Sequence, residues 1–130
     1  DAFLAEEPAR DIDILHADIQ GYELDMLVGA RQALAERRIR RIFVSTHSQT
    51  LHHNVVQLLN DSGYRVDVSA DFDRETTSFD GFAYACLPDL PPLLNGVDIL
   101  GRAAICRSEP RELVDYLGRA LDARPPLVRL

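Results

Sequence analysis

Two short apolar runs, separated by a stretch of helical periodicity, restrict this chain more than any other feature. The first is Ile12-Asp13-Ile14-Leu15-His16-Ala17-Asp18-Ile19, ended by Gly21. A largely apolar run of this length suits a strand buried in a parallel sheet. From Tyr22 to about Glu36, Leu24, Leu27, Val28, Arg31 and Leu34 fall at helical spacing, and four of the five are apolar. The second run, Arg41 to Thr46, is rich in strand formers. A further helix is expected from about Gln49 to Ser62, with Leu51, Val55, Leu58 and Leu59 on one stripe and Gly63 as a left-handed cap. Strand, helix, strand, helix favours a parallel sheet covered by helices.

The pattern then changes. Tyr64 to Val68 alternates, as in a strand with one wetter face, and Phe82 to Leu87 forms another strand after the polar stretch Asp71 to Asp80. Two strands without a helix between them are most simply an antiparallel pair. Pro88, Pro91 and Pro92 interrupt regular structure. Val97 to Arg107 is a weaker strand candidate. Ser108 is placed to cap a last helix through Leu121, with Leu113, Leu117, Ala120 and Leu121 inward and Pro125-Pro126 beyond it. Asp1 to Asp11 reads as a polar lead-in. The expected division is residues 1–87 as one α/β unit and 88–130 as an extension.

Composition narrows the partners. The net charge of -7, from 14 basic and 21 acidic residues, repels phosphate backbones and anionic lipid. Nucleic acid and membrane surface are therefore poor partners. The basic run Arg37, Arg38, Arg40 and Arg41 reads as a solvated helix end rather than an anion site. Cys86 and Cys106 lie in apolar segments without metal-ligand spacing, as expected of buried free thiols in a reducing cytosol. No apolar run approaches the roughly 18 residues of a membrane span, so a soluble, cytoplasmic chain is expected. It opens on Asp1 rather than Met, which leaves room for residues upstream. Oligomeric state is not readable.

Ligands of open α/β sheets lie beyond the carboxyl ends of the strands, and two polar clusters fall there. The first is Asp18-Ile19-Gln20-Gly21-Tyr22-Glu23. Asp18 ends an apolar strand and needs partners, either backbone amides of the turn or a ligand. Glu23 stands in a first helical turn, where capping and function are both reasonable. The second cluster is Ser45-Thr46-His47-Ser48. His47 has the right ordinary pKa for a general base, or it merely bonds to the loop. His52 and His53, adjacent on a helix, read as surface residues.

The run Asp13 to Leu24, followed by Leu27-Val28-Gly29-Ala30, resembles the FkbM family of S-adenosylmethionine-dependent methyltransferases. So do Phe43-Val44-Ser45-Thr46-His47 and the later Gly63-Tyr64, and the resemblance covers roughly Asp11 to Leu87. Gln20 stands where an acidic residue is commoner in that family. The resemblance implies the last four strands of a Rossmann-like class I methyltransferase sheet, and S-adenosylmethionine as methyl donor. The family's glycine-rich turn and ribose-binding acid precede this region, so the donor-binding residues are expected upstream and the chain is expected to be part of a longer enzyme. The acceptor implied is an oxygen of a small molecule or glycan. His47 or Asp18 is expected to deprotonate or orient the acceptor hydroxyl, Gln20 and Glu23 to shape the polar wall, and Asp80 or Tyr84 to line the acceptor side.

Two other readings fit parts of the pattern. His16-Ala17-Asp18 with a later histidine is similar to the iron ligands of 2-oxoglutarate oxygenases, but a helix separates the parts and no metal is assigned. A non-catalytic Rossmann-like module that binds a protein through an unpaired sheet edge is the main alternative to an enzyme.

Overall fold

The strands place most of their buried apolar residues toward one helical layer, and the order of elements follows from that need. The computed structural model describes residues 1–6, 11–76, 79–92 and 100–122, except for the Phe3 side chain. A short helix α1 (Ala2–Glu6) comes first, followed by β1 (Ile12–Ala17), α2 (Glu23–Gly29), α3 (Arg31–Ala35), β2 (Ile39–Thr46), α4 (Gln49–Asp61), β3 (Arg65–Ala70), β4 (Gly81–Cys86), α5 (Arg102–Ile105) and α6 (Pro110–Asp122).

The strands form one sheet in the order β1-β2-β4-β3. β1 and β2 are parallel, joined through α2 and α3, and β4 is antiparallel to both β2 and β3. The mixed sheet, parallel then antiparallel, is the architecture expected from the sequence and is compatible with a methyltransferase-like fold. Ile42 and Val44 from β2 and Ala83 and Ala85 from β4 pack against Leu27, Leu34, Val55 and Leu59 of the helices. On the other side Val68, Tyr84 and Cys86 form a smaller cluster with Phe43 and Phe82.

Helix ends follow local chemistry. Ser48 accepts a hydrogen bond from the Leu51 amide and caps α4. At the other end Gly63 has φ 79°, its amide donates to the Asn60 carbonyl, and the Tyr64 amide donates to Leu59. This paired closure fits a Schellman cap and confirms Gly63 as the stop. Tyr64 then drives into the core, and its hydroxyl donates to the Ile39 carbonyl at 2.7 Å. Burial pushes that phenol up to about 12.

Several local expectations are corrected. The single helix from Tyr22 to Glu36 is two, broken after Gly29, where helix propensity is low. The Asp1 carboxylate accepts from the Gln32 and Ala33 amides, so it competes for the groups a continuous helix would use. The lead-in contains α1, while residues 7–10 lie outside the described residues. β1 is more exposed than a central parallel strand, because it pairs with β2 alone among the described residues and Ile14 is 65% exposed. The arginine run does not end a helix: Arg40 and Arg41 are in β2, Arg38 pairs with Asp11, and Arg40 pairs with Asp13.

The tail differs most. Residues 102–105, expected within a strand, form α5, and residues 97–99 lie outside the described residues, as does Pro125-Pro126. The amides of Arg102 and Ala103 are taken by the carbonyls of Thr76 and Arg74, so this segment bonds to a turn rather than to a sheet edge. α6 starts at Pro110, and the Ser108 hydroxyl donates to Ala104. Leu117, Ala120 and Leu121 are exposed rather than inward, and Leu113 is half-buried. Cys86 is buried as expected, with burial pushing its thiol up, whereas Cys106 is exposed. No described helix is long and apolar enough to cross a membrane.

His52 is buried rather than on the surface. It lies on the stripe of Val55 and Leu59, and its ring nitrogens meet Thr46 Oγ1 at 3.0 Å and Ser69 Oγ at 2.9 Å. Those two hydroxyls supply the partners that burial demands. The ring therefore links α4 to β2 and β3. Burial lowers its pKa below the usual histidine value.

Two outcomes are expected. Tyr64→Phe leaves the Ile39 carbonyl without its donor and should lower stability by about 1–2 kcal/mol in urea unfolding; an unchanged midpoint would contradict the role given to the hydroxyl. Because the folded state holds His52 neutral, its stabilising effect is complete above pH 6.5 and is lost as pH falls below that value and through the depressed pKa. His52→Gln should flatten this part of the stability profile between pH 7.5 and 5, measured by thermal melting.

Candidate functional site at the carboxyl rim of the sheet

Topology alone brings three polar segments to one edge. β1 and β2 are parallel and adjacent, so the residues that follow them, Asp18 and His47, leave the sheet side by side. β4 runs the other way and starts opposite the end of β2, with Gly81 paired to Thr46, which brings Asp80 to the same rim. A side chain at Gly81 would clash: an added Cβ would stand 2.6 Å from Thr46 Oγ1 and 2.9 Å from the Ala70 carbonyl oxygen. The close approach of β4 therefore depends on glycine there.

The turn after β1 has two consecutive left-handed residues, Gln20 with φ 57° and Gly21 with φ 107°. Gly21 adopts this conformation without penalty, whereas Gln20 needs support. That support is Glu23. Its wholly buried carboxylate accepts from the Ile19 amide at 2.8 Å and from the Gly21 amide at 3.0 Å. Capping and site placement, posed as alternatives, occur together here, because Glu23 Oε1 is also 3.1 Å from His47 Nδ1.

His47 is the centre of the cluster. Its Nε2 is 3.2 Å from Asp18 Oδ1 and 3.7 Å from Asp80 Oδ1. Both ring nitrogens are buried, yet none of these carboxylate contacts is aligned as a hydrogen bond. Asp18 is partly exposed, and the Gln20 side-chain amide donates to its Oδ1 at 3.1 Å. Asp18 is thus satisfied by a neighbouring side chain rather than by the turn amides, which Glu23 has taken.

Five of the six residues singled out, Asp18, Gln20, Glu23, His47 and Asp80, meet at this rim. Tyr84 does not. It lies in the middle of β4 opposite Phe43 and Val68, buried in the smaller apolar cluster. Three residues from the strand start is about 10 Å of extended chain. His16 is also elsewhere: it is exposed on the strand and packs on the Phe43 ring at 5.5 Å. Among the described residues, Asp18, Glu23 and His47 form the set whose donor atoms, one from each, lie within 4.8 Å of one another.

Sequence reasoning did not single out Phe79 or assign Tyr22 a place at the site. Both are exposed large aromatics beside cluster residues, and Phe79 is 90% exposed. Their position next to Asp80 and Glu23 was the available signal. A cleft of about 580 Å³ between α2 and α4, lined by Leu24, Val28, Gln57 and Leu58 among others, contains none of the rim residues.

Such a sheet with a histidine and carboxylates at its carboxyl edge fits the methyltransferase class, and comparison with known proteins bears on this directly. Residues 1–66 match the methyltransferase FkbM domain. The chain belongs to that family. A protein of Jannaschia sp. (strain CCS1), provisionally named a methyltransferase, is 36% identical over 59 residues. The match covers 45% of this chain and 21% of that protein, so the chain spans about a fifth of its relative. No solved structure matches the chain significantly.

Replacing Glu23 separates its structural duties. Glu23→Ala removes the acceptor for two turn amides and should cost about 2 kcal/mol or more. Glu23→Gln keeps one acceptor oxygen and should cost less. Urea unfolding and amide exchange at Ile19 and Gly21 give the order; equal stability of the alanine variant and the parent would refute the assignment.

Proposed function

We propose that this chain is the carboxyl-terminal half of a Rossmann-like class I methyltransferase domain, with residues 88–130 as an extension. In this reading the complete protein moves a methyl group from S-adenosylmethionine to an oxygen of a small molecule or glycan. Family membership supports methyl transfer, and the placement of His47 among Asp18, Glu23 and Asp80 is the observation that carries the oxygen-acceptor part. The cytoplasmic setting is inferred from the free cysteines, and the lack of nucleic-acid or membrane partners from the acidic charge.

In this reading the donor is held by residues upstream of β1. The turn after β1 has one glycine, and the amides of Ile19 and Gly21 are used by Glu23. The donor's contribution, when bound, is an electrophilic methyl group on a sulfonium. The work assigned to this chain is to orient an acceptor hydroxyl and receive its proton as the oxygen–carbon bond forms. Positioning dominates the rate of such an in-line displacement. The His47 ring is held between carboxylates, and an acceptor hydroxyl that displaces Asp18 or Asp80 from its buried Nε2 would meet a base already oriented. Asp18 is the second candidate for that proton, being more exposed and on the same side of the ring.

The alternative, a non-catalytic module that pairs with a partner, is favoured by one observation: the outer edge of β1 has no strand beside it among the described residues. Release of S-adenosylhomocysteine, measured with hydroxylated acceptors in a form that includes upstream residues, tests the enzyme reading. His47→Ala should lower turnover at least about tenfold, as expected for loss of a general base. Unchanged turnover would remove His47 from the mechanism.

A further inference from the structure

We infer that α6 is a self-association surface, occupied by α6 of a second copy of this chain packed antiparallel across a two-fold axis. Leu113 and Tyr116 of this helix are half-buried, and the Tyr116 hydroxyl accepts from the Leu100 amide at 3.4 Å, so that side faces the rest of the protein. Val114, Leu117 and Leu121 are 66%, 57% and 62% exposed. Spaced i, i+3 and i+7, they share a sector of about 60° on the helix. Three large apolar side chains aligned in this way are more than scattered surface apolarity. With two arginines against three acidic residues, α6 has no excess positive charge to hold an anionic lipid surface. A protein partner is left.

Charge selects a second copy as that partner. On the flank of the stripe away from Leu113 and Tyr116 stand Arg111, near the start of α6, and Asp122, at its end. Neither has an ion-pair partner among the described residues. A half-turn about an axis across the helix keeps this flank on one side and exchanges its ends. Arg111 of each copy then stands beside Asp122 of the other. A parallel pair would put the two charges on opposite sides of the contact, where they do not meet. The apolar residues choose nearly the same register. With the axis near Leu117, Val114 of one copy meets Leu121 of the other, and Leu117 meets Gly118, where space is open for a close approach. Charge pairing centres the axis between residues 116 and 117, and apolar pairing between 117 and 118, a difference of about 1.5 Å that an arginine side chain spans. Two helices of 13 residues cover less than the roughly 1,200 Å² that tight complexes bury, so a weak dimer in exchange with monomer is expected.

None of these residues belongs to the rim, so self-association and methyl transfer can be tested apart. Sedimentation velocity of the whole chain across a wide concentration range should show reversible monomer–dimer exchange, and Leu117→Asp should abolish it. Arg111→Asp should weaken the dimer about fivefold or more by setting like charges together, and adding Asp122→Arg should restore affinity to within about twofold of the parent. Cross-linking in a Cys106→Ser background reads the symmetry without relying on charge. Leu117→Cys should form an intermolecular disulfide, whereas Arg111→Cys alone should not, because its two copies stand about 17 Å apart along the paired helices. Arg111→Cys mixed with Asp122→Cys should cross-link. A monomer at every concentration, association that survives Leu117→Asp, a charge swap that fails to restore affinity, or self-cross-linking of Arg111→Cys would overturn the assignment.

Discussion

The buried carboxylate of Glu23 is the contact on which the rest of the rim depends. A turn with two left-handed residues exposes amides that no strand or helix can pair. Glu23 reaches back from the first turn of α2 and accepts them, which fixes where β1 ends and α2 begins. The same oxygen that accepts the Ile19 amide also stands against His47. Local backbone satisfaction and positioning of the central side chain are thus a single arrangement. A shift in either would be felt by the other.

The register of the sheet supplies the second half. Parallel pairing of β1 with β2 sends Asp18 and His47 out together, and antiparallel β4 returns Asp80 to meet them. That return requires the backbone of β4 to pass close to Thr46, which Gly81 allows. Thr46 in turn bonds to His52, and His52 to Ser69, so the ends of β2 and β3 are joined through α4 just behind the site. The turn over residues 71–76 is braced by the amides of Arg102 and Ala103. The extension therefore supports the segment that leads to Asp80, a role its sequence does not advertise.

The far side of the sheet has a different character. Arg65 holds Asp67 below the usual carboxylate range, and Asp67 accepts from the Cys86 thiol, so the charged pair closes the end of the smaller apolar cluster. Tyr84 belongs to this cluster. Its alternation with Ala83 and Ala85 on a six-residue strand already implied the opposite face from the main core, but not its distance from the rim.

Periodicity determined the parallel pair, the antiparallel pair and α4, because apolar spacing and cap residues such as Ser48 and Gly63 are local signals. Strand-end placement likewise made Asp18, Glu23 and His47 legible as neighbours at one edge. Tertiary structure decided the rest. The break after Gly29 depends on Asp1, thirty residues away in the sequence, and the burial of His52 depends on hydroxyls from two other strands. The tail became α5 bonded to a turn because its partners, Arg74 and Thr76, are backbone carbonyls without a sequence signature. Propensity describes what a segment can become alone, whereas unpaired hydrogen-bonding groups brought close by folding determine what it becomes in this protein.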